Sequence, residues 1–373
     1  MSVMRIAYCT NVRLPSERAH GHQVARVCDA LAALGHEVEI FAPYRRNPIQ
    51  NDYWNFHKAD KRVQLTYLGK FDPIDWPIPK FLQLFLLNLQ FTMSICKKLQ
   101  MQKTAIIYTR SPALLSTLLK TKIPVALELH TLPKRGRSRF AARCNQCALV
   151  ICLTKPMRED LLSSGVEAGK VITESDGIDL QAFTKNIPSS LGKFIIGYAG
   201  QLSSMGLSKG IPELLDAFLL LRKQKKDAEL HIAGPEVRDE VLMHRLQKTE
   251  GLVYRGFLPH EKIPAFLSSC SVLVYPAPAS SHPFYTRDTS PLKIFEYMAA
   301  KKPIVAADLP PLRDILSEET AYLCIPGDPQ SLADAILQVF GHPEEAQKKA
   351  EKAWVKVQEH TWKKRMTRIL QAL

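Results

Sequence analysis

Short apolar runs alternate with helical patterns along this chain, and the alternation occurs twice. The first series has apolar runs over residues 5–9 and 37–42 with a helical pattern over 21–34 between them. The second series opens with an apolar run over 193–200 that ends in glycine, followed by a helical pattern over 212–223. Continuous apolar runs separated by helices are typical of parallel strands that are buried on both faces. The sequence therefore predicts an α/β fold with two parallel-sheet domains.

The length and one linker-like segment indicate where these domains divide. A chain of 373 residues suits two domains, each large enough to bury a core. Residues 184–192, which include Pro188, have the composition of a linker. We expect a first domain over 1–186, a second over 187–355 and a C-terminal helical segment over 356–373 that returns to the first domain.

Two helical patterns are long. Residues 79–100 are almost wholly apolar, but Gln83, Asn88 and Gln90 interrupt the run, which falls short of the ~20 uninterrupted apolar residues that a membrane span needs. We expect a mostly buried helix here, with a membrane-surface helix as the alternative. The last pattern covers 344–373 and predicts one helix.

The charge of the chain limits its partners. A formal net charge of +14 requires an anionic partner such as nucleic acid, a membrane surface or a phosphorylated ligand. Aromatic residues do not interleave with the basic clusters as a single-strand-binding surface requires. We therefore expect no nucleic acid, and an anionic membrane surface is the better candidate. The basic clusters lie at 45–46, 134–139, 222–226 and 363–365.

The eight cysteines fall mostly inside apolar runs, which predicts reduced, buried thiols. Cys144 and Cys147 form a lone CxxC without a second pair or a histidine at zinc-site spacing, so no metal is expected. Residues 1–7 lead directly into a strand pattern, without the basic region and cleavage site of a signal peptide. The expected location is the cytoplasm.

The stretch after Asp288 combines a loop, a helix start and a buried strand. Ser290 is a good N-cap and Pro291 suits the first helical position, so a helix is predicted from Pro291 to Ala300. Free N–H groups and the helix dipole favour an anion such as phosphate at its start. Glu296 lies at the edge of the apolar face and needs hydrogen-bond donors. Sugar hydroxyls or an i, i+3 ion pair with Lys293 would both supply them.

Several other residues lie in the loops between strands and helices. Open parallel sheets bind ligands at the carboxyl ends of their strands, so these residues are candidate ligand contacts. Gly21 lies where a loop meets a helix, and Glu128 and His130 close an apolar run. Lys209 precedes a helix, where a lysine is a natural phosphate ligand. A solvated Lys209 and a His130 hydrogen-bonded into its loop are alternatives that spacing leaves open. The first loop lacks G-x-G-x-x-G, so a dinucleotide fingerprint is absent.

The stretch that begins at Asp288 resembles the signature of glycosyltransferase family 4. It has an acidic residue, seven intervening residues, Glu296, a helix and a Pro-Ile-Val-Ala strand. The resemblance spans nearly the whole chain, because further motifs of the family occur in order. It implies the GT-B fold: two Rossmann-like domains facing a central cleft, with a C-terminal helix crossing back to the N-terminal domain. The further motifs are Gly35-His-Glu-Val, Glu128-x-His130, Asp176-Gly-Ile-Asp, Lys209-Gly210, His231-Ile-Ala-Gly and Gly256-Phe.

The resemblance also implies roles for individual residues. Two positions are implied as catalytic: His130 near the reacting end of the sugar and Asp288 facing the transferred sugar. Lys209 would neutralise the donor diphosphate, and Glu296 would accept hydrogen bonds from the ribose hydroxyls. The remaining implied donor-binding residues are Gly21, Gln201, Arg255, Phe257, Ser290, Pro291 and Leu292.

The implied activity is transfer of a sugar, with retained anomeric configuration, from a UDP- or GDP-sugar to a saccharide or lipid-linked acceptor. In this family the leaving phosphate oxygen helps to deprotonate the acceptor, which dispenses with a metal or cofactor. The role expected from the resemblance and the charge is cell-surface glycan biosynthesis by a cytoplasmic, peripheral enzyme at the inner face of the plasma membrane.

Two departures from the family pattern leave a second hypothesis open. The chain has Asp288 where the family usually has glutamate, and Gln201 where it usually has arginine. An altered donor preference is our main interpretation. The alternative is a catalytically silent GT-B scaffold that binds a nucleotide-sugar or a protein partner. A nucleotide-sugar epimerase shares the two-lobe architecture, but it is not expected to carry this set of motifs.

Overall fold

The computed structural model describes residues 3–184, 192–204, 206–289 and 292–373. The chain divides into unit 1, Met1–Ser175 with Trp362–Leu373, and unit 2, Asp176–Thr361. The sequence predicted domain boundaries after residues 186 and 355, whereas the units divide after Ser175 and after Thr361. The physical reason lies in unit 2, where Ile178 pairs with Thr361 and its N–H donates to the His360 carbonyl at 2.9 Å. Most of the predicted linker, residues 185–191, lies outside the described residues.

Unit 1 is built on a parallel sheet in the strand order β3-β2-β1-β4-β5-β6-β7. The strands are β1 (Arg5–Cys9), β2 (Glu37–Pro43), β3 (Gln64–Leu68), β4 (Ile106–Thr109), β5 (Val125–Leu129), β6 (Leu149–Cys152) and β7 (Val171–Thr173). The helices are α1 (Ala19–Ala33), α2 (Tyr53–His57), α3 (Lys80–Met101), α4 (Leu115–Leu119), α5 (Arg137–Cys144), α6 (Lys155–Ser163) and, from the end of the chain, α14 (Trp362–Gln371).

Helices cover both faces of this sheet. Ile6 and Tyr8 of β1 belong to the buried cluster beneath α1, α2 and α14. Ala7 and Cys9 of the same strand belong to the cluster beneath α3, α4, α5 and α6. Because side chains alternate between the two faces of a strand, a strand that is covered on both faces must be continuously apolar. This explains why the strands were recognisable in the sequence.

Unit 2 repeats this plan with a parallel sheet in the order β12-β11-β8-β13-β14-β15 and a short antiparallel hairpin of β9 and β10. Its strands are β8 (Ile195–Ala199), β9 (Ser203–Ser204), β10 (Leu207–Ser208), β11 (Glu229–Ala233), β12 (Leu252–Gly256), β13 (Val272–Tyr275), β14 (Ile304–Ala307) and β15 (Tyr322–Cys324). Its helices are α7 (Ile211–Arg222), α8 (Glu240–Lys248), α9 (Ile263–Ser269), α10 (Pro283–Thr286), α11 (Leu292–Ala299), α12 (Pro329–Gly341) and α13 (Pro343–Val357). Two parallel sheets with flanking helices confirm the predicted fold class.

The prediction of one helix over 344–373 is wrong. The chain leaves α13 through a 3-10 turn at Gln358–His360, and Thr361 adopts an extended conformation before α14 begins. Two contacts inside unit 2 fix this break. Thr361 pairs with Ile178, and the His360 ring stacks on Phe295 at a centroid distance of 4.6 Å. Residues 357–362 contain no proline or glycine, so the sequence pattern did not reveal the break.

The prediction that residues 79–100 form a mostly buried helix is also wrong. In α3, four residues spaced by four positions are buried: Leu87, Phe91, Ile95 and Leu99. Much of the remaining helix surface is exposed, including the side chain of Phe81 at 70%. Across the described residues, no helix combines the length and apolarity required to cross a membrane.

All eight cysteines lie in described segments and are free thiols. Seven of them are buried, and Cys96 is half-buried. This confirms the predicted burial of most of these thiols. Burial also raises the pKa of Cys144 and Cys147 to about 12. Such thiols are poor metal ligands, because metal coordination requires the thiolate.

The last helix, α14, closes the core of unit 1 by packing on α1. Ile369 lies on its buried face and is 0% exposed, whereas Leu373 is 38% exposed at the chain end. We predict that Ile369→Ala lowers the free energy of unfolding by about 2–5 kcal/mol, because it removes a buried side chain and leaves a cavity. Leu373→Ala is the matched control. Urea unfolding measures both, and equal midpoints for the two variants would contradict the packing of α14.

Candidate functional site

Three ionisable side chains of unit 2, Lys209, Lys293 and Glu296, influence one another electrostatically. Lys293 and Glu296 lie on α11, whose other side chains between 294 and 299 are buried against the core of the unit. Lys209 lies between β10 and α7. The helix is therefore held rigidly by its apolar face, and its two charged residues take fixed positions.

Lys293 lies across the end of β8. Its Nζ donates a hydrogen bond to the Tyr198 hydroxyl at 2.8 Å and stands 4.5 Å from the centre of that ring. Gly200, just after β8, makes room for it, because a Cβ at this glycine would lie 2.0 Å from Lys293 Cε. Burial and the nearby Lys209 lower the pKa of Lys293 to about 7, although Glu296 opposes the shift. The ammonium is thus poorly solvated and poorly compensated.

Lys209 is a second partly buried cation. Its Nζ lies 3.7 Å from the centre of the Phe284 ring, and burial lowers its pKa to about 8. Within the described segments, neither Lys209 nor Lys293 forms an ion pair with a carboxylate. A buried cation without an opposite charge is unstable in its charged form, and an anionic ligand removes this penalty. The two lysines together favour binding of a multiply charged anion.

Glu296 is 9% exposed, and burial raises its pKa to about 7 even though Lys293 acts in the opposite direction. It forms no ion pair with Lys293, which rules out the structural alternative considered from spacing. The imidazole of His260 lies nearby, with Nδ1 4.0 Å from Glu296 Oε1. A carboxylate in this environment gains from ligand hydroxyls that donate hydrogen bonds to it.

Asp288 is engaged by its neighbour in the chain. Arg287 donates to both oxygens of its carboxylate, from Nε at 2.6 Å and from Nη2 at 2.9 Å. The predicted site residues Ser290 and Pro291 lie outside the described residues, and Leu292 is the half-buried first residue of α11. A ligand hydroxyl that binds Asp288 must therefore share or displace the Arg287 contact.

The other predicted donor-binding residues of unit 2 are more exposed. Gln201 is exposed, and its backbone carbonyl accepts a hydrogen bond from Tyr198 Oη at 2.6 Å. Arg255 is exposed on β12, which is the edge strand two positions from β8. Phe257 follows the same strand and is 72% exposed. Gln201 is linked to Lys293 only through its backbone carbonyl and the shared Tyr198 hydroxyl. The predicted roles of all three side chains stay predictions.

In unit 1, His130 is oriented by a buried carboxylate at the end of β5. His130 Nε2 lies 2.6 Å from Glu128 Oε1 and 2.9 Å from Gln23 Nε2 of α1. Glu128 is 0% exposed and also accepts hydrogen bonds from the Tyr108 hydroxyl and from Arg365 Nη2, the latter at 2.9 Å. Burial acts to raise the pKa of Glu128, but Arg365 and His130 outweigh it and hold the pKa well below its usual range. The ionised carboxylate therefore holds the imidazole in place.

Gly21 lies in the first turn of α1 and is buried. A Cβ at this position would lie 2.7 Å from the Ser16 carbonyl oxygen and 3.1 Å from His57 Cε1. The glycine thus permits close packing of the preceding loop and of α2 against α1. Its predicted contact with phosphates stays a prediction.

Sequence reasoning missed three of the residues that shape these clusters. The sequence predicts Lys293 only as an ion-pair partner of Glu296, because its contact with the end of β8 depends on the fold. Gln23 and Arg365 were not considered. Arg365 lies 237 residues from Glu128 in the chain, so no local pattern connects the two.

Comparisons with known families agree with this architecture. The model of "Glycosyltransferase Family 4" matches residues 21–182, within unit 1 except for its last few residues. The model of "Glycosyl transferases group 1" matches residues 193–342, within unit 2. The two matches together cover most of the chain.

Individual relatives are more distant. The chain is 27% identical over 153 residues to a protein of Bacillus subtilis (strain 168) named as a teichuronic acid biosynthesis glycosyltransferase, TuaH. That match covers 40% of the chain and only 36% of the relative. The fold is similar to sucrose-phosphate synthase from Thermosynechococcus elongatus, with a TM-score of 0.74, 19% identity and coverage of 99% and 98% of the two chains. It is also similar to Anabaena HepE in complex with UDP-glucose, with a TM-score of 0.69, 16% identity and coverage of 99% and 100%.

The buried ion pair of Glu128 and Arg365 gives a test of the His130 cluster. We predict that Arg365→Met lowers the free energy of unfolding by about 3–5 kcal/mol, because it leaves the Glu128 carboxylate buried without its cation. The exposed Lys363 on the same helix gives the control Lys363→Met. Since the pKa of Glu128 is depressed in the folded protein, its contribution is present at neutral pH and is lost as the pH falls through the lowered pKa. Urea unfolding at neutral and acidic pH measures this, and a loss as large in acid as at neutral pH would exclude the ion pair as its cause.

Proposed function

The chain belongs to glycosyltransferase family 4 and has the GT-B fold, and from this membership we propose that it transfers a sugar from a nucleoside diphosphate sugar. The acceptor that we propose is a saccharide or a lipid-linked saccharide. UDP- and GDP-sugars are the donors of choice. The UDP-glucose complex of the similar Anabaena protein supports a UDP-linked donor.

The observation that carries this proposal is the pair of uncompensated lysines, Lys209 and Lys293. The leaving group of the proposed reaction is a nucleoside diphosphate, on which negative charge grows as the glycosidic bond breaks. Fixed cations at the leaving group stabilise such a transition state, and they act more strongly where water is excluded. Lys209 and Lys293 are two cations with depressed pKa values and no carboxylate partner among the described residues.

The remaining roles follow from the chemistry of the side chains. We propose that Glu296 accepts hydrogen bonds from the ribose hydroxyls, which favour its charged form and offset the cost of its burial. His130, oriented by Glu128, would bind the sugar near its reacting carbon. Asp288 would contact the transferred sugar in competition with Arg287. The other residues that we propose bind the donor are, in unit 2, Gln201, Arg255, Phe257, Ser290, Pro291 and Leu292, and, in unit 1, Gly21.

Retention of anomeric configuration is also part of the proposal, on the strength of the family resemblance. In that mechanism the acceptor attacks the face from which the diphosphate leaves, and a phosphate oxygen takes the acceptor proton. Lys209 and Lys293 supply positive charge at the leaving diphosphate, so the mechanism assigns no role to a metal or a cofactor.

We propose that the product is a cell-surface glycan and that the enzyme works at the inner face of the plasma membrane. A relative named for teichuronic acid biosynthesis supports a polysaccharide acceptor. The net charge of +14 supports association with an anionic surface.

If both lysines bind the diphosphate, removing either charge weakens nucleotide binding. We predict that Lys209→Met and Lys293→Met each lower the affinity for UDP or GDP by roughly 10- to 100-fold, the usual value of one charge-assisted contact. The matched controls are Lys225→Met, whose Nζ lies 3.9 Å from the Phe340 ring centre, and Lys301→Met, whose Nζ lies 3.8 Å from that of Trp354. Isothermal titration calorimetry with UDP, GDP and inorganic pyrophosphate measures the affinities.

The same titrations have a defined pH dependence. Bound anion favours the ammonium form, so the lysine pKa values rise from about 7 and about 8 on binding. The affinity should then fall as the pH rises through this range, with proton uptake on binding near pH 7 to 8. Lys293→Met should remove part of that uptake, and the Lys301→Met control should not. If Lys293→Met leaves both the nucleotide affinity and the proton uptake unchanged, Lys293 does not bind the diphosphate.

Turnover separates an enzyme from a silent scaffold. We predict that a panel of UDP- and GDP-sugars includes at least one donor that is transferred or slowly hydrolysed, and that proton NMR shows the initial product with the anomeric configuration of the donor. Asp288→Asn should lower kcat by more than it raises KM if Asp288 contacts the sugar in the transition state. Tight nucleotide-sugar binding without any turnover would instead favour the scaffold, and a product of opposite configuration would exclude retention.

A further inference from the structure

The positive charge of the chain is concentrated in one segment. Residues 76–158 contain fourteen lysines and arginines and a single acidic residue, Glu128. That carboxylate is 0% exposed and is paired with Arg365. It therefore contributes no negative charge to the surface, and this segment accounts for nearly all of the net charge of +14.

The segment supplies three of the four helices of one helical layer of unit 1, and the fourth is α6, which carries the exposed Glu159. Its helices α3, α4 and α5 pack on the same face of the sheet, where their buried residues share one cluster. We call the outer side of this layer, with the loops that join its helices, the α3–α5 surface. Acidic residues follow only on the next helix, where Asp160 pairs with Arg137. Exposed cations of the α3–α5 surface include Lys97, Lys103, Lys120, Lys122, Lys134 and Arg139.

An exposed apolar row runs along α3 in the same layer. Phe81, Phe85, Leu89 and Met93 are spaced by four positions and are 70%, 59%, 42% and 71% exposed. They project away from the buried row that begins at Leu87. No charged residue occurs between Lys80 and Lys97.

Two aromatic residues of the preceding loop extend this row. Phe71 and Trp76 stack on each other at a centroid distance of 5.2 Å and are 39% and 42% exposed. In all, nine of the eighteen large hydrophobic side chains that are exposed in the described segments lie between Phe71 and Met101. Contiguous exposed apolar surface of this kind marks an interaction site.

We propose that the α3–α5 surface docks on the surface of an anionic phospholipid membrane. The apolar row of α3 enters the boundary between headgroups and acyl chains, and the surrounding cations contact the anionic headgroups. The buried row of α3 stays packed in the core of unit 1, so the helix lies along the membrane as part of the folded unit. This docking does not depend on the proposed sugar transfer.

Charge complementarity selects the membrane over two other occupants. A second copy of this chain would bring two strongly positive layers together, which electrostatic repulsion opposes. Nucleic acid would neutralise the cations but leave the aromatic row in water, because the aromatic residues do not alternate with cations as a stacking surface requires. An anionic bilayer satisfies the cations and the apolar row at the same time.

Vesicle sedimentation tests the proposal with the full chain. The probes are phosphatidylcholine vesicles with and without phosphatidylglycerol. The first variant, Phe85→Gln with Met93→Gln, removes apolar surface, and the second, Lys97→Gln with Lys120→Gln and Lys122→Gln, removes charge. Controls on unit 2 are Val241→Gln, at a side chain that is 73% exposed, and the pair Lys223→Gln with Lys226→Gln at exposed positions.

The wild type should bind the anionic vesicles and not the neutral ones, with binding that weakens as salt is added. Each test variant should bind them on the order of tenfold more weakly, and both controls should bind like the wild type. All the substituted side chains are exposed, so thermal unfolding should be unchanged and UDP binding should match the wild type.

Three results would overturn the proposal. The first is equal binding of the test variants and the wild type to anionic vesicles. The second is a dimer in sedimentation velocity that Phe85→Gln with Met93→Gln dissociates, without vesicle binding. The third is binding of a single-stranded homopolymer that the charge variant loses, again without vesicle binding. Because UDP titration is a separate readout, failure here and failure of the proposed sugar transfer remain distinguishable.

Discussion

The charge of the candidate site depends on Lys293, which lies over the ring of Tyr198 at the end of β8. Lys293 reaches this position because α11 is fixed by its apolar face and because Gly200 has no side chain to block it. The Tyr198 hydroxyl accepts one hydrogen bond from the ammonium but brings no negative charge. With Lys209 close enough to repel it, Lys293 loses hydration without gaining a counter-ion. The charged form of Lys293 is therefore costly in this fold, and either loss of its proton or a nearby anion reduces that cost.

The charged cluster of unit 1 has the opposite balance. Glu128 is fully buried, yet it accepts hydrogen bonds from four side chains and is paired with Arg365. A carboxylate whose partners are all supplied by the protein is a structural element, since a ligand has little to add to it. Here the ion pair ties α14 to β5 and orients His130 at the strand end. The two clusters illustrate one rule: a complete buried ion pair supports the fold, whereas an incomplete one leaves a place for a ligand.

The strands of the two parallel sheets and most helices were predictable from the sequence, because a strand that is buried on both faces must be apolar. The short hairpin of β9 and β10 was not predicted. The segment around Glu296, which we propose binds the donor, was recognisable for a similar local reason, since its loop, helix and strand are contiguous in the sequence. What the sequence did not reveal depends on distant contacts. The break at Thr361 arises from pairing with Ile178, and the position of Arg365 arises from a carboxylate on another element. The half-exposed α3 was missed because an apolar composition alone does not show which residues face the core.

The lysine at 293 also bears on the departure at Gln201. The family usually places an arginine after the strand-ending glycine, and this chain has an exposed glutamine there. Lys293 reaches the same glycine from the start of α11, so a positive charge is delivered to the end of β8 from a different element. A lysine and an arginine are not equivalent here, because a guanidinium stays charged at every physiological pH whereas a buried ammonium can lose its proton. With its pKa lowered to about 7, Lys293 carries its full charge only when an anion is bound or the pH is low. A site that used arginine would hold its charge permanently, whereas in the proposed site anion binding and protonation of Lys293 would be interdependent.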